Sequence, residues 1–141
     1  MSMRDIYNKL KVVRALSPVD AGAGGDDTAA VTQIIDLAGY GSALFVIALG
    51  AIADANVTFA VTMDEGDASN LSDASAVAAA DLLGSYAGAG FIFSSDDGVR
   101  KIGYKGTKRY VRLTITPTGN SGAWLASVVA ILGHASLEPV S

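Results

Sequence analysis

Two stretches of this chain alternate apolar and polar side chains with a strict period of two, the pattern of a half-buried β-strand. In Val57-Thr58-Phe59-Ala60-Val61-Thr62-Met63, residues Val57, Phe59, Val61 and Met63 share one face, and Thr58, Ala60 and Thr62 the other. From Tyr110 to Thr116, Val111, Leu113 and Ile115 alternate with Tyr110, Arg112, Thr114 and Thr116. The β-branched side chains that fill both stretches suit a pleated, half-buried surface.

Further strands follow from the same reasoning. Lys11 to Pro18 reads as extended chain, because Pro18 biases Ser17 away from the helical region. Asp5 to Leu10 suits one helical turn capped by Asp5. Thr32 to Leu37 is a strand candidate. Leu44-Phe45-Val46-Ile47-Ala48-Leu49 is a continuous apolar run between glycines, which predicts a strand buried on both sides. Val99 to Tyr104 and Arg109 to Thr116 predict a hairpin closed by Lys105-Gly106-Thr107-Lys108. Ala123 to Leu132 predicts a final strand, since Val128, Val129 and Ile131 are β-branched. Ser75 to Leu83 is alanine-rich enough for a helix, but its length and the closing Gly84 favour a strand. Ala21 to Asp27, Asp64 to Asn70 and Pro117 to Gly122 are turn and loop clusters.

With 16 glycines and only 3 prolines in 141 residues, these segments predict an all-β fold. The expected architecture is a jelly-roll or Greek-key β-sandwich of about eight strands. It forms one domain over 1–141, with residues 1–18 as an extended N-terminal arm and first strand. Half of the chain is apolar, enough for a substantial core, yet only 17% is charged. So little charge predicts that part of the surface is covered by partners. The absence of cysteine excludes disulfides, thiolate metal sites and a cysteine nucleophile. Met1-Ser2-Met3-Arg4-Asp5 leads into a mixed polar stretch, so no apolar core of signal-peptide length is expected there. The longest apolar region, Ala43 to Ala53, is too short for a membrane span and is broken by Gly50. The expectation is a soluble protein.

Charge falls in blocks. Arg4, Lys9, Lys11 and Arg14 open the chain against the single Asp5. Asp20, Asp26, Asp27, Asp36, Asp54, Asp64, Glu65, Asp67, Asp73, Asp81, Asp96 and Asp97 then follow without one basic residue among them. Next come Arg100, Lys101, Lys105, Lys108, Arg109 and Arg112. Separated signs can pair within the fold, between copies or across a partner surface.

Catalytic signatures are sparse. His134, the one histidine, has no partner motif for a Ser–His–acid arrangement. Asp64-Glu65-Gly66-Asp67 and Asp96-Asp97-Gly98 could offer oxygens to calcium, but they lack the spacing of a calcium loop. Nothing marks the aromatic-walled cleft of a glycosidase. The glycines at 22–25 and 39–41 lack the Gly-Lys-Ser/Thr ending of a phosphate loop. The basic stretch with Tyr104 and Tyr110 could suit single-stranded nucleic acid, yet a sequence pI near 4.7 argues against a dedicated nucleic-acid binder. Pairing with acidic surface of the same or a neighbouring subunit is the favoured reading. No catalytic residue, cofactor, metal or small-molecule substrate is expected.

Met3 to Pro18 (Met-Arg-Asp-Ile-Tyr-Asn-Lys-Leu-Lys-Val-Val-Arg-Ala-Leu-Ser-Pro), Ile102 to Thr116 and Ala130-Ile131-Leu132-Gly133-His134 together resemble a family from tailed bacteriophages. The chain is similar to jelly-roll capsid cement (decoration) proteins, of the kind carried by the Bordetella phage. The resemblance implies a non-enzymatic virion protein on the outer face of the phage head. It would be made in the bacterial cytoplasm, form a homo-oligomer (dimer or trimer) and bridge subunits of the phage major capsid protein. On this reading Arg4, Tyr7, Lys9, Lys11, Arg14, Lys101, Lys105, Lys108, Arg109 and Arg112 are the candidate contacts with other copies or with the capsid. The arm is the favoured contact, because an exposed segment can add a strand to a partner sheet. Alternatives are another phage structural piece (tail, spike or head-completion) or a calcium- or carbohydrate-binding β-sandwich module.

Overall fold

The computed structural model describes residues 5–22 and 24–136. Among them are eleven strands: β1 (Lys11–Asp20), β2 (Ala30–Val31), β3 (Ile35–Asp36), β4 (Tyr40–Ile52), β5 (Thr58–Gly66), β6 (Ser75–Ala76), β7 (Leu82–Leu83), β8 (Phe91–Ile92), β9 (Val99–Tyr104), β10 (Tyr110–Thr118) and β11 (Trp124–Ala135). A four-residue helix, Tyr86–Ala89, and 3-10 turns at Ala79–Asp81 and Phe93–Ser95 lie between them. One sheet has the order β1-β11-β4-β9-β7. The other is built around the β10–β5 pair, with β2 and β3 on the outer side of β10 and β6 and β8 on that of β5. Every pairing is antiparallel. This is the expected all-β sandwich of jelly-roll type.

The strict alternation places the layers. Phe59, Val61 and Met63 of β5 and Val111, Leu113 and Ile115 of β10 are buried and face the five-stranded sheet. Phe45, Ile47, Ile102, Val128 and Leu132 meet them from the other side in one continuous core. Trp124, fully buried, closes one end against Phe59 at 4.8 Å between ring centroids, and Phe59 stacks on Phe91 at 4.4 Å.

The expected hairpin over 99–116 does not form. β9 pairs with β4 and β7, whereas β10 pairs with β5, β2 and β3, so the two strands lie in opposite sheets. Two amphipathic strands can put their apolar sides into one core either side by side or across it. Here Tyr104 decides the matter. Its ring is fully buried at the end of β9. Its hydroxyl donates to Glu65 Oε2 on β5 at 3.0 Å and accepts from the Lys108 backbone N–H at 2.9 Å. Burial, with the Glu65 carboxylate adding to it, pushes the phenol up to about 12. Gly106 completes the corner, since a Cβ there would lie 2.5 Å from the Tyr104 oxygen. The connection therefore turns across the sandwich.

Other expectations are refined. Of the predicted strand at 32–37 only β3 is strand; β2 precedes it on β10, and Thr32 follows β2 with its own bonds to the ladder. Its N–H donates to the Leu113 carbonyl at 2.9 Å, and its hydroxyl accepts from the Leu113 N–H at 3.0 Å. Ser75–Leu83 is strand only at its ends, β6 and β7, which lie in different sheets with a 3-10 turn between them. Asp5 caps its turn by accepting from the Asn8 N–H at 3.0 Å. The acidic loop after β5 is closed by Asp73, whose carboxylate accepts from the Asp67 and Ala68 N–H groups at 2.9 and 3.2 Å. Those backbone donors hold the Asp73 pKa below the ordinary 3.8.

Tyr104→Phe leaves Glu65 and the Lys108 N–H without their partner. It should cost about 1–3 kcal/mol, read as a lower urea midpoint at an unchanged slope. The lowered carboxylate at Asp73 stabilises the fold above the unfolded pKa, and that stabilisation is lost as pH falls through the folded value. Unfolding followed from pH 7 to pH 2 should show stability falling below about 3.8. In Asp73→Ala, stability should start lower at neutral pH and fall less steeply in acid.

Candidate functional site

The two outer faces of the sandwich differ in chemistry. On the six-stranded sheet, the residues alternating with the core positions are Thr58, Ala60, Thr62 and Asp64 of β5, and Tyr110, Arg112, Thr114 and Thr116 of β10. Thr62 lies opposite Thr114, and Asp64 opposite Arg112. This face is polar along its two central strands, while Val31 and Ile92, opposite Thr114 and Thr58, add exposed apolar side chains at its edges.

The five-stranded sheet is apolar on its outside as well as its inside. Its outward row through Val12 of β1, Ile131 of β11, Leu44 of β4 and Gly103 of β9 is in direct register. Leu83 of β7 lies opposite Gly103 and continues the row. A Cβ on Gly103 would sit 2.8 Å from that of Leu83, so the glycine lets Leu83 lie against the sheet. The next row is Arg14, Val129, Val46 and Lys101. Val99 and Leu125 extend the face toward the other end, at 59% and 41% exposure, while Val12 reaches 67%. Leu44-to-Leu49 is therefore buried only on its core side. Phe45 and Ile47 are buried, but Leu44 and Val46 are part-exposed. A strand in a two-layer antiparallel sandwich has one core to face, so its second apolar row is left on the surface.

Two grooves lie on this face. One, of about 640 Å³, is lined by Ile6, Lys9, Leu10, Leu44, Leu83, Ile131 and His134. The other, of about 430 Å³, is lined by Pro18, Val19, Leu125 and Ser127 at the opposite end. Leu10 lies over Gly133, where a Cβ would come within 3.3 Å of its Cδ2. His134, next to last in β11, makes one side-chain hydrogen bond, 2.8 Å from Nδ1 to the Ser42 hydroxyl on β4. It serves as a latch between neighbouring strands.

The basic residues separate into two groups. Lys108 pairs with Asp67 at 3.0 Å, Arg109 grips both oxygens of Asp36 at 2.9 and 3.0 Å, and Arg112 reaches Asp64 at 3.7 Å. The Arg109 hydrogen bonds lower the Asp36 pKa, and the Asp67 hydrogen bond raises that of Lys108. Arg109 also stacks over the Tyr110 ring at 5.1 Å. These cations are neutralised within the chain, as the pairing reading expects, and two of the carboxylates considered for calcium, Asp64 and Asp67, are among those they hold. Among the described residues no group of three or more His, Asp or Glu side chains is placed to hold a metal ion.

The second group is spread out. Arg14 and Lys101 stand in one row of the apolar face, three strands apart, about 14 Å at the usual strand spacing. Lys11 opens β1, where its charge acts on Asp36. Lys105 sits in the corner after β9, its N–H donating to the Asp81 carbonyl at 2.9 Å. Tyr7 is exposed in the turn before β1, and Lys9 lines the larger groove. Arg4 lies outside the described residues.

Of the arm and first strand expected over 1–18, the strand begins at Lys11 and runs to Asp20. This segment is the edge strand β1, paired with β11 from Lys11 to Asp20. Two register shifts and Pro18 interrupt it. The Ala15 carbonyl on its outer edge is already taken by the Gln33 N–H at 2.8 Å. An edge so broken is protected against strand addition. Among the described residues no helix is long and apolar enough to cross a membrane.

No protein-family model and no curated sequence matches the chain. Solved structures do. A chain in the capsid of Ralstonia phage GP4 is 9% identical with a TM-score of 0.50, and the match covers 96% of this chain and 92% of that one. A chain of infectious bursal disease virus, Gx strain, is 12% identical at a TM-score of 0.48 over 93% of this chain. This chain spans 34% of that viral chain's length. The CBM32 of AlyQ, in complex with 4,5-unsaturated mannuronic acid, is 10% identical at a TM-score of 0.37. At these identities the likeness to the GP4 chain is one of fold: an all-β sandwich matched along nearly the whole of both chains.

Proposed function

We propose that this protein is a non-enzymatic virion component that binds the outer face of a phage head, as a small homo-oligomer, and stabilises it by bridging major capsid subunits. The observation that carries this reading is the asymmetry of the sandwich. One outer face is threonine-rich over its central strands and apolar only at its edges, at Val31 and Ile92; the other presents Val12, Leu44, Val46, Leu83, Val99 and Ile131 across its central strands as well. An apolar row continuous across the central strands of a sheet is a surface for other proteins. The sequence resemblance to phage cement proteins and the fold shared with a chain from a phage capsid support the same conclusion.

Burying such a face on a shell opposes dissociation of the subunits beneath it. The contribution scales with the apolar area removed from water, about 25 cal/mol per Å², less the cost of immobilising the protein. Many identical copies add these small terms over the whole head. A chain used in this way needs a rigid face rather than a reactive centre. The continuous core behind β4 and β11 supplies that rigidity.

A second virion role, in the tail or at a vertex, would use the same fold. Copy number separates the two. Purified protein titrated onto heads that lack it should bind saturably, at a stoichiometry on the scale of the shell's subunits, and raise the temperature at which the heads release DNA. Saturation at a single vertex would assign it to head completion or the tail. No binding at all would refute the cement reading.

A further inference from the structure

We propose that a cleft beside β5 is a binding site for an acidic saccharide, a short chain of sugars of which one carries a carboxylate. The site is independent of the cement reading. The cleft, of about 640 Å³, lies along the outward row of β5 from Thr58 to Thr62. Tyr86, Ile92, Ser94 and Arg100 wall it. Clefts of this size are common for small ligands.

Arg100 supplies the charge. It lies opposite the core residue Ile47, so its side chain leaves β9 on the inward side and reaches the cleft at the sandwich edge. Neutral acceptors hold it there. Nε donates to the Gly90 carbonyl at 3.4 Å, Nη1 to the Val99 carbonyl at 3.2 Å and Nη2 to the Ser95 hydroxyl at 2.9 Å. A guanidinium carries five N–H donors, so these three bonds leave two for a ligand. No aspartate or glutamate lines the cleft. Arg100 has no ion pair among the described residues, whereas Lys108, Arg109 and Arg112 each hold an aspartate. A part-buried cation held only by neutral oxygens is matched to a carboxylate from outside the chain.

The remaining walls favour a sugar. Among the described residues the hydroxyls of Thr58, Thr62 and Ser94 have no hydrogen-bond partner. The Ser95 hydroxyl accepts from Arg100 and keeps its own proton to donate. Thr58 and Thr62 stand about 14 Å apart at the usual strand rise, longer than a single sugar ring. Tyr86 is pinned by its hydroxyl, which donates to the Val77 carbonyl at 2.7 Å and the Met63 carbonyl at 3.2 Å. Its ring and Ile92 give apolar surface for the C–H faces of a sugar. An extended peptide would need main-chain groups free on the β5 edge, and that edge is closed here. Phe59 pairs with Phe91, Met63 accepts from the Val77 N–H, and Val61 between them is buried. A nucleic acid would need more than one cation. An inorganic anion would engage Arg100 and leave the β5 hydroxyls unused.

The test is an NMR titration of the full chain with a glucuronate disaccharide, the matching glucose disaccharide and acetate. Amide signals of residues 58–62 and 94–100 should move saturably with the acidic disaccharide. The neutral disaccharide and acetate should each bind on the order of tenfold more weakly, one lacking the charge-assisted pair and the other the hydroxyl contacts. Arg100→Gln should bring the acidic disaccharide down to the affinity of the neutral one and remove its salt dependence. Thr58→Val/Thr62→Val keeps shape and β-branching; it should weaken both disaccharides and leave acetate unchanged. Lys101→Gln, the next cation along β9 but on its other side, should bind within about twofold of wild type. Equal affinity for the two disaccharides, or no saturable shift with the acidic one, would overturn the proposal. So would acetate binding as tightly as the acidic disaccharide, which would make the cleft an anion subsite only. If Arg100→Gln does not fold, the threonine variant decides, and wild-type affinity for the acidic disaccharide there would overturn the proposal. No heads enter these measurements, so the cement reading stands or falls separately.

Discussion

A two-layer sandwich has one interior, and each strand can turn only alternate residues toward it. The rest of this structure follows from that constraint. β5 and β10 obey it simply, with Val, Phe, Leu, Ile and Met inward and Thr outward. β4 and β11 do not, since both carry apolar residues on the outward side too. The surplus has no use inside the chain. It leaves Leu44, Val46, Val129 and Ile131 side by side on the central strands of one sheet, flanked by Val12 and Leu83. The resulting face is broad and backed by the core, and its shape is set by strand register rather than by a loop.

Connectivity reinforces the arrangement. The chain changes sheets at almost every turn, remaining within one only between β2 and β3 and between β5 and β6. Such crossings interlock the layers, because each sheet is assembled from segments distant in sequence. They also need firm corners. Tyr104 provides one, with its ring in the core and its hydroxyl bonded to Glu65 and to the Lys108 N–H. At the opposite end, Asn120 binds the Asp26 carbonyl through its side chain at 2.8 Å, and its own N–H donates to the Asp27 carboxylate at 2.7 Å. Several aspartates that make the sequence acidic therefore serve as acceptors for backbone N–H groups in turns.

The fold class was legible because period-two alternation depends only on the strand itself. Pairing was not. Val99–Tyr104 and Arg109–Thr116 look like hairpin arms because a short polar segment joins them, and the sequence carries no mark of the buried Tyr104 corner beyond an aromatic residue two positions before Gly106. The site was half legible. The charge blocks pointed to pairing, and Lys108, Arg109 and Arg112 do pair within the chain. The apolar face was hidden in plain letters: an unbroken run such as Leu44 to Leu49 signals burial on both sides without saying whether the second cover is the same chain or another. Antiparallel order in a two-layer fold shows that the second side is not covered by the same chain.

This changes which charges matter. In sequence, the cations between 100 and 112 form the densest basic cluster and draw attention as a binding surface. In the fold, three of them are spent on aspartates supplied by the acidic middle of the chain, and the cluster contributes little net field. Arg14 and Lys101 belong to different blocks and lie 87 positions apart. Antiparallel register nevertheless sets them in one row of an apolar face. A cation without a partner beside apolar neighbours is costly to bury unless the covering surface brings a carboxylate.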